Sequence, residues 1–78
     1  MYYWWMEIMD EIKNTVIYGY GLTVYDTSGR FSIDKNTESV ELIKLADGDN
    51  EGFFAYFVGH IKNTLPKAGY PKVRCIAT

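Results

Sequence analysis

A chain of 78 residues makes one small domain, and at that size folding hides only about 60–65% of the surface that the unfolded chain exposes. Two Trp, seven Tyr and four Phe are more than such a core covers, so aromatic surface is left for a protein partner or a second copy of the chain. A single cysteine, Cys75, excludes the disulfide framework of small secreted domains and points to the cytoplasm, while a net charge of −2 excludes a uniformly basic nucleic-acid binder.

The charge is unevenly spread. Residues 1–51 hold all ten acids and four of the bases; residues 52–78 hold Lys62, Lys67, Lys72 and Arg74 and no acid. Such asymmetry either cancels when the two parts meet in the fold or leaves a basic patch at the C-terminal third. The opening MYYWWMEIM lacks the basic stretch of a signal peptide, and acids follow at once. Met6 offers an alternative start. No apolar run reaches the length of a membrane span.

Residues 4–16 have the spacing of an amphipathic helix. Trp4, Trp5, Ile8, Met9, Ile12 and Val16 make its apolar face, and Glu7, Asp10, Lys13 and Asn14 a solvated back. Tyr18-Gly19-Tyr20-Gly21 then breaks the helix. Residues 22–26 alternate as a strand, Thr27-Ser28-Gly29 turns, and residues 30–34 return with Phe31 and Ile33 on one face, so a β-hairpin is expected here. Residues 39–46 read as a third strand, with a capped helix as the competing reading. Residues 51–65 are a second helix. Phe53, Phe54, Phe57, Val58, Ile61 and Leu65 share one face, Asp49 or Asn50 caps it, Glu51 suits its positive end, and Pro66 stops it. Residues 71–77 close the chain as a strand with Val73, Cys75 and Ala77 inward. Offset by 49, the two helices align and share the tetrapeptide Ile-Lys-Asn-Thr, which suggests a degenerate helix–strand repeat. The expected fold is therefore a single α+β domain in the order α-β-β-β-α-β, an antiparallel sheet with two amphipathic helices on one face.

No motif carries chemistry. The run from Asp47 to Gly52 resembles the start of a calcium loop, but its twelfth position is Val58, and helix capping accounts for the acids. Gly19 and Gly21 lack the third glycine of a dinucleotide fingerprint. His60, the one histidine, has Cys75 as a conceivable dyad partner and Asp49 as an orienter, and reads better as a packing residue at the border of its helix face. Tyr18, Tyr20 and Tyr25 beside Arg30 suggest a base-stacking platform, which the surrounding acids oppose; cross-strand packing of the tyrosines is the simpler account. Neither a cofactor nor a metal is expected.

The functional expectation is a non-enzymatic, intracellular protein-binding module. Its narrowest form is a small inhibitor of the kind mobile genetic elements, phages among them, direct at a host enzyme or defence nuclease; size and simplicity suggest it, not a motif. The alternative is a small nucleic-acid-binding protein using Lys62, Lys67, Lys72 and Arg74. The candidate contact surface is the back of the second helix, Ala55, Tyr56, Gly59, Lys62 and Asn63, where one charge and a missing side chain leave a shallow groove that a target or a two-fold mate can enter. Tyr2 and Tyr3 are expected to remain available to a partner as further aromatic contacts, while Trp4 or Trp5 anchors the core.

Overall fold

At the start of the chain the spacing of apolar residues by four is also a multiple of two, and the strand period wins. The computed structural model describes residues 3–62 and 64–77, except for the side chain of Pro66. Residues 4–16 are not a helix. They belong to two antiparallel strands, β1 (Tyr3–Ile12) and β2 (Thr15–Gly21), joined by a two-residue turn at Lys13 and Asn14. Lys13 takes the left-handed conformation, φ 54°, that such a tight turn demands of one of its residues. Trp4 and Met6 are buried on one face, with Tyr3, Trp5 and Glu7 on the other. Both faces of β1 hold apolar residues from Tyr3 to Met6, and a β-bulge between Ile8 and Asp10 inserts Met9 and reverses the parity beyond it, so that a helical stripe could be drawn through the segment. The aromatic and β-branched content of the two segments favours the pleated surface as well.

The expected hairpin is half right. Strand β3 (Gly29–Asp34) is present, but its partner is β2, in a register that sets Tyr20 opposite Gly29 and Thr15 opposite Asp34. Residues 22–28 are a connecting loop. Strand β4 (Val40–Lys44) lies where residues 39–46 were read as a strand, and it pairs with β3 with a second bulge at Ile43. Helix α1 (Glu51–Lys62) follows, then a single helical turn, α2 (Leu65–Ala68), and strand β5 (Val73–Ala77).

The five strands form one antiparallel sheet in the order β4-β3-β2-β1-β5. The observed order β-β-β-β-α-β, with the short α2 before β5, replaces the expected α-β-β-β-α-β layout, and one helix of useful length stands where two were expected. With no first helix, the helix–strand repeat also falls. Its shared tetrapeptide makes the β1–β2 turn in one copy and enters the last turn of α1 in the other.

Four strands form a meander. The fifth must reach the far edge, beside β1. Four strand spacings of about 4.8 Å need about 19 Å, and the 12 residues of α1 supply about 18 Å of rise. Asn50 caps α1, its Oδ1 accepting the Phe53 N–H at 2.9 Å, with Glu51 in the first turn. The helix ends at Lys62, ahead of Pro66. The proline sits instead in the first turn of α2, where its missing N–H is no loss.

The core lies between α1 and one sheet face. Phe54, Phe57, Ile61 and Leu65 meet Trp4, Met6, Val16, Tyr18, Tyr20, Phe31 and Ile33, with Phe53 and Val58 packed at its border. Phe57 is its centre: its ring stacks on Trp4 (5.2 Å) and Tyr20 (5.4 Å) and meets Phe31 edge-on (5.6 Å). Strand β5 turns the other way from the expectation. Val73, Cys75 and Ala77 pair with Glu7, Trp5 and Tyr3 on the open face, while Arg74 and Ile76 pair with Met6 and Trp4 on the helix side.

Candidate interaction surfaces

One face of the sheet has no helix over it, and its residues follow from the registers. Glu7 and Trp5 stand beside Gly19 and Gly21 of β2 and beside Val73 and Cys75 of β5; Arg30, Ser32 and Asp34 continue the face along β3. Part of it is closed by the loop of residues 22–28. The two glycines make room for that loop. A Cβ on Gly19 would come within 2.9 Å of Thr27, Met9 and Arg30, and one on Gly21 would collide with Asp26. The Arg30 guanidinium donates to the carbonyls of Thr27 and Gly29, and the Asp26 carboxylate accepts the Ser28 N–H at 3.0 Å. Tyr25, in the left-handed conformation at φ 65°, is carried over Trp5, with ring centroids 4.8 Å apart and edge to face. Its ring remains 76% exposed. Trp5 in turn donates its indole N–H to Glu7 at 2.7 Å.

This aromatic pair is bordered by exposed Met9 and Val73 and by Tyr3, whose hydroxyl pKa is raised, first by its hydrogen bond with the Cys75 side chain. An antiparallel sheet with one face in water usually carries polar residues there. The β3–β4 half does: Thr15, Ser32, Asp34, Thr37, Ser39 and Glu41 line a shallow cavity of about 270 Å³. The β1–β5 half is mainly apolar, with Glu7 held by the Trp5 indole. Sequence reasoning missed this surface because it placed Trp5 and Met9 on a helix and Tyr25 in a strand; the signal available was the Gly-x-Gly pair, which marks a close approach of another segment.

The back of α1 is the second surface. Ala55, Gly59 and Lys62 are exposed, and Tyr56 is 47% exposed, its ring edge-on to His60 at 4.8 Å. Among the described residues nothing lies within 4 Å of a Cβ built on Gly59, so none of their contacts requires the glycine. Tyr3 is on the open face of β1, across the sheet from α1, beside the apolar surface described above. Tyr2 and Asn63 lie outside the described residues. Trp4 is fully buried and is the anchor of the N-terminal strand; Trp5 is only partly buried.

The remaining constellations come apart. His60 rests against Trp4 on the helix side (5.9 Å), whereas Cys75 pairs with Trp5 on the open face, so the sheet separates them. Asp49 Oδ2 accepts the Tyr20 hydroxyl at 2.6 Å and fastens the loop before α1 to the sheet. Tyr18 and Tyr20 are buried core rings and form no platform with Tyr25. Burial pushes the Tyr18 hydroxyl up to about 12, and burial followed by the Asp49 hydrogen bond raises Tyr20 as well. Among the described residues, no group of three or more His, Cys, Asp or Glu side chains could hold a metal ion, and no helix is long and apolar enough to cross a membrane. Lys62, Lys67 and Lys72 are exposed, but Arg74 is partly buried on the helix side of β5.

Comparison with protein-family models, with curated proteins and with solved structures found no match.

Proposed function

We propose that the protein is a non-enzymatic protein-binding module acting in the cytoplasm. The observation that supports it is the apolar half of the open sheet face, where Trp5, Tyr25, Met9 and Val73 sit together at the surface. Exposed aromatic and methionine side chains are enriched at the centres of protein interfaces. The back of α1 offers a second contact surface, with Tyr56 standing beside the open space over Gly59. A narrower form of the reading, a small inhibitor that a mobile genetic element such as a phage directs at a host enzyme or defence nuclease, fits the size of the chain and the small number of its features.

The test is affinity capture from host lysate with three baits: the unaltered protein, a Trp5→Asp/Tyr25→Asp double variant and a Gly59→Glu variant. Each is first shown to be folded by circular dichroism. The open-face variant is expected to lose the captured protein. Identical capture by all three baits would dismiss both surfaces. Binding of single-stranded RNA or DNA that weakens steeply with salt, and that Lys62→Ala, Lys67→Ala and Lys72→Ala remove, would favour nucleic acid as the partner instead.

A further inference from the structure

The two edges of the sheet are not alike. Strand β4 is blunted: the bulge at Ile43 breaks its register. Such bulges are a usual guard against strand addition. Strand β5 pairs with β1 without interruption from Val73 to Ala77 and has no bulge. The carbonyl of Lys72 accepts the Ile8 N–H at 2.8 Å, so it faces β1. Since the N–H and C=O of successive residues alternate sides along a strand, those of Val73, Cys75 and Ala77 face outward along a free edge.

The side chains at that edge set the chemistry of what can join it. On the open face, Val73 and Cys75 are exposed and apolar, next to Trp5. On the helix side, Arg74 is partly buried, and its Nη1, shielded from water, has no hydrogen-bond partner among the described residues. Lys72, of the same parity, is exposed beyond it. Strand β5 and the residues around it, 52–78, contribute no acid of their own. A buried guanidinium N–H without an acceptor is costly, and a carboxylate is its best acceptor.

We infer that the β5 edge takes an extended segment of a partner protein as a sixth strand, one that alternates acidic and small apolar residues. Its carboxylates meet Arg74 and Lys72 on the helix side. Its apolar residues extend the row of Val73, Cys75 and Ala77 on the open face. Main-chain hydrogen bonds to these three residues supply the affinity, and the charges supply the choice of partner. A second copy of the chain is the poorer occupant, because it would bring its own Lys72 and Arg74 against the same cations of an edge strand that carries no acid. The inference rests on the protein-binding reading and adds the place and chemistry of the partner.

The experiment is an NMR titration of the full chain with a blocked heptapeptide, Thr-Val-Glu-Val-Glu-Val-Thr, and with its lysine counterpart. The acidic peptide is expected to shift and protect from exchange the amide protons of Val73, Cys75 and Ala77; the lysine peptide is not. An acidic peptide N-methylated on the donors that face β5 should not bind. Arg74→Gln is expected to weaken binding about tenfold and to erase most of the preference over lysine. Cys75→Pro removes one outward N–H and should abolish binding. Should that variant fail to fold, the N-methylated peptide and Arg74→Gln still decide. Equal affinity for both peptides, shifts confined to the Trp5–Tyr25 face, or no response at millimolar peptide each overturns the inference. Protection of the β5 amides without peptide, together with a dimeric mass in sedimentation, overturns it in favour of self-pairing. If Cys75→Pro still captures the lysate partner that Trp5→Asp/Tyr25→Asp loses, the edge is not used and the protein-binding reading stands.

Discussion

Tyr20 shows how much one side chain decides here. Its ring lies in the core between Phe54 and Phe57, and its hydroxyl accepts the Ala46 N–H at 3.1 Å while donating to Asp49 at 2.6 Å. The β4–α1 loop is thereby fixed to β2. Tyr20→Phe keeps the ring and removes the hydroxyl. It is expected to cost about 1.5–3 kcal/mol, as for a hydrogen bond to a charged group, in urea unfolding. Tyr18 adds a pH dependence. Its hydroxyl donates to the Pro71 carbonyl at 2.9 Å, and burial holds its pKa near 12, above the ordinary value of 10. The neutral form is the one the fold prefers. Its stabilising contribution is complete below pH 10 and is lost as pH rises towards 12, on the order of 2 kcal/mol. Absorbance titration should show Tyr18 and Tyr20 ionising late and together with unfolding, and Tyr18→Phe should flatten the loss of stability above pH 10. If stability falls equally steeply in that variant, Tyr18 does not carry the effect.

At the scale of elements, α1 and the β1–β2 turn each hold a residue that local energetics would not select. Gly59 is in the third turn of α1 with open space beside it. Gly59→Ala should stabilise the fold by about 0.5–1 kcal/mol, because none of the described residues comes near enough to need the glycine. If Gly59→Ala stabilises but weakens capture of the partner, the glycine serves an interface. Lys13 occupies the left-handed region without the freedom of glycine. Lys13→Gly should raise stability by up to about 1 kcal/mol, read as a higher denaturation midpoint. An unchanged or lower midpoint would show that the turn is under no strain at that residue.

The whole molecule is organised about Trp4. The residue sits on β1, between β2 and β5, and its ring touches Phe53, Tyr56, Phe57 and His60 across the length of α1. An initiation at Met6 would delete it together with three of the five β1–β5 pairs, so residues 3–5 are part of the fold. Trp4→Ala should cost about 3–5 kcal/mol, a large share of what a domain of this size has to lose. Iodide should quench Trp5 and leave Trp4 unaffected in the folded protein, with Trp4→Phe and Trp5→Phe assigning the two signals. Quenching of both indoles in the folded state would contradict the burial of Trp4.

Local chemistry alone determined the start of α1 and its buried face, because Phe54, Phe57 and Ile61 recur at a spacing that only a helix puts on one side; that Asn50 rather than Asp49 is the cap came from the structure. It also determined β3, a short alternating run between turn residues, and favoured β4 over a capped helix without deciding it. The start of the chain was legible only in part. Trp4 and Ile8, or Ile8 and Ile12, stand four apart, which satisfies a helix and a strand equally, and the bulge at Met9 filled in the rest of the false stripe. What broke the tie was the sheet itself: β2 bonds to β1 on one side and to β3 on the other, and no local preference can report a partner so distant in sequence. The same pairing took β2 away from the loop of residues 22–28 and laid that loop on Gly19 and Gly21, carrying Tyr25 to Trp5. The orientation of β5 was decided the same way. Its alternation was plain in the sequence, but which parity faces the helix depends on the register with Trp4 and Met6, and a shift of one residue exchanges the two faces.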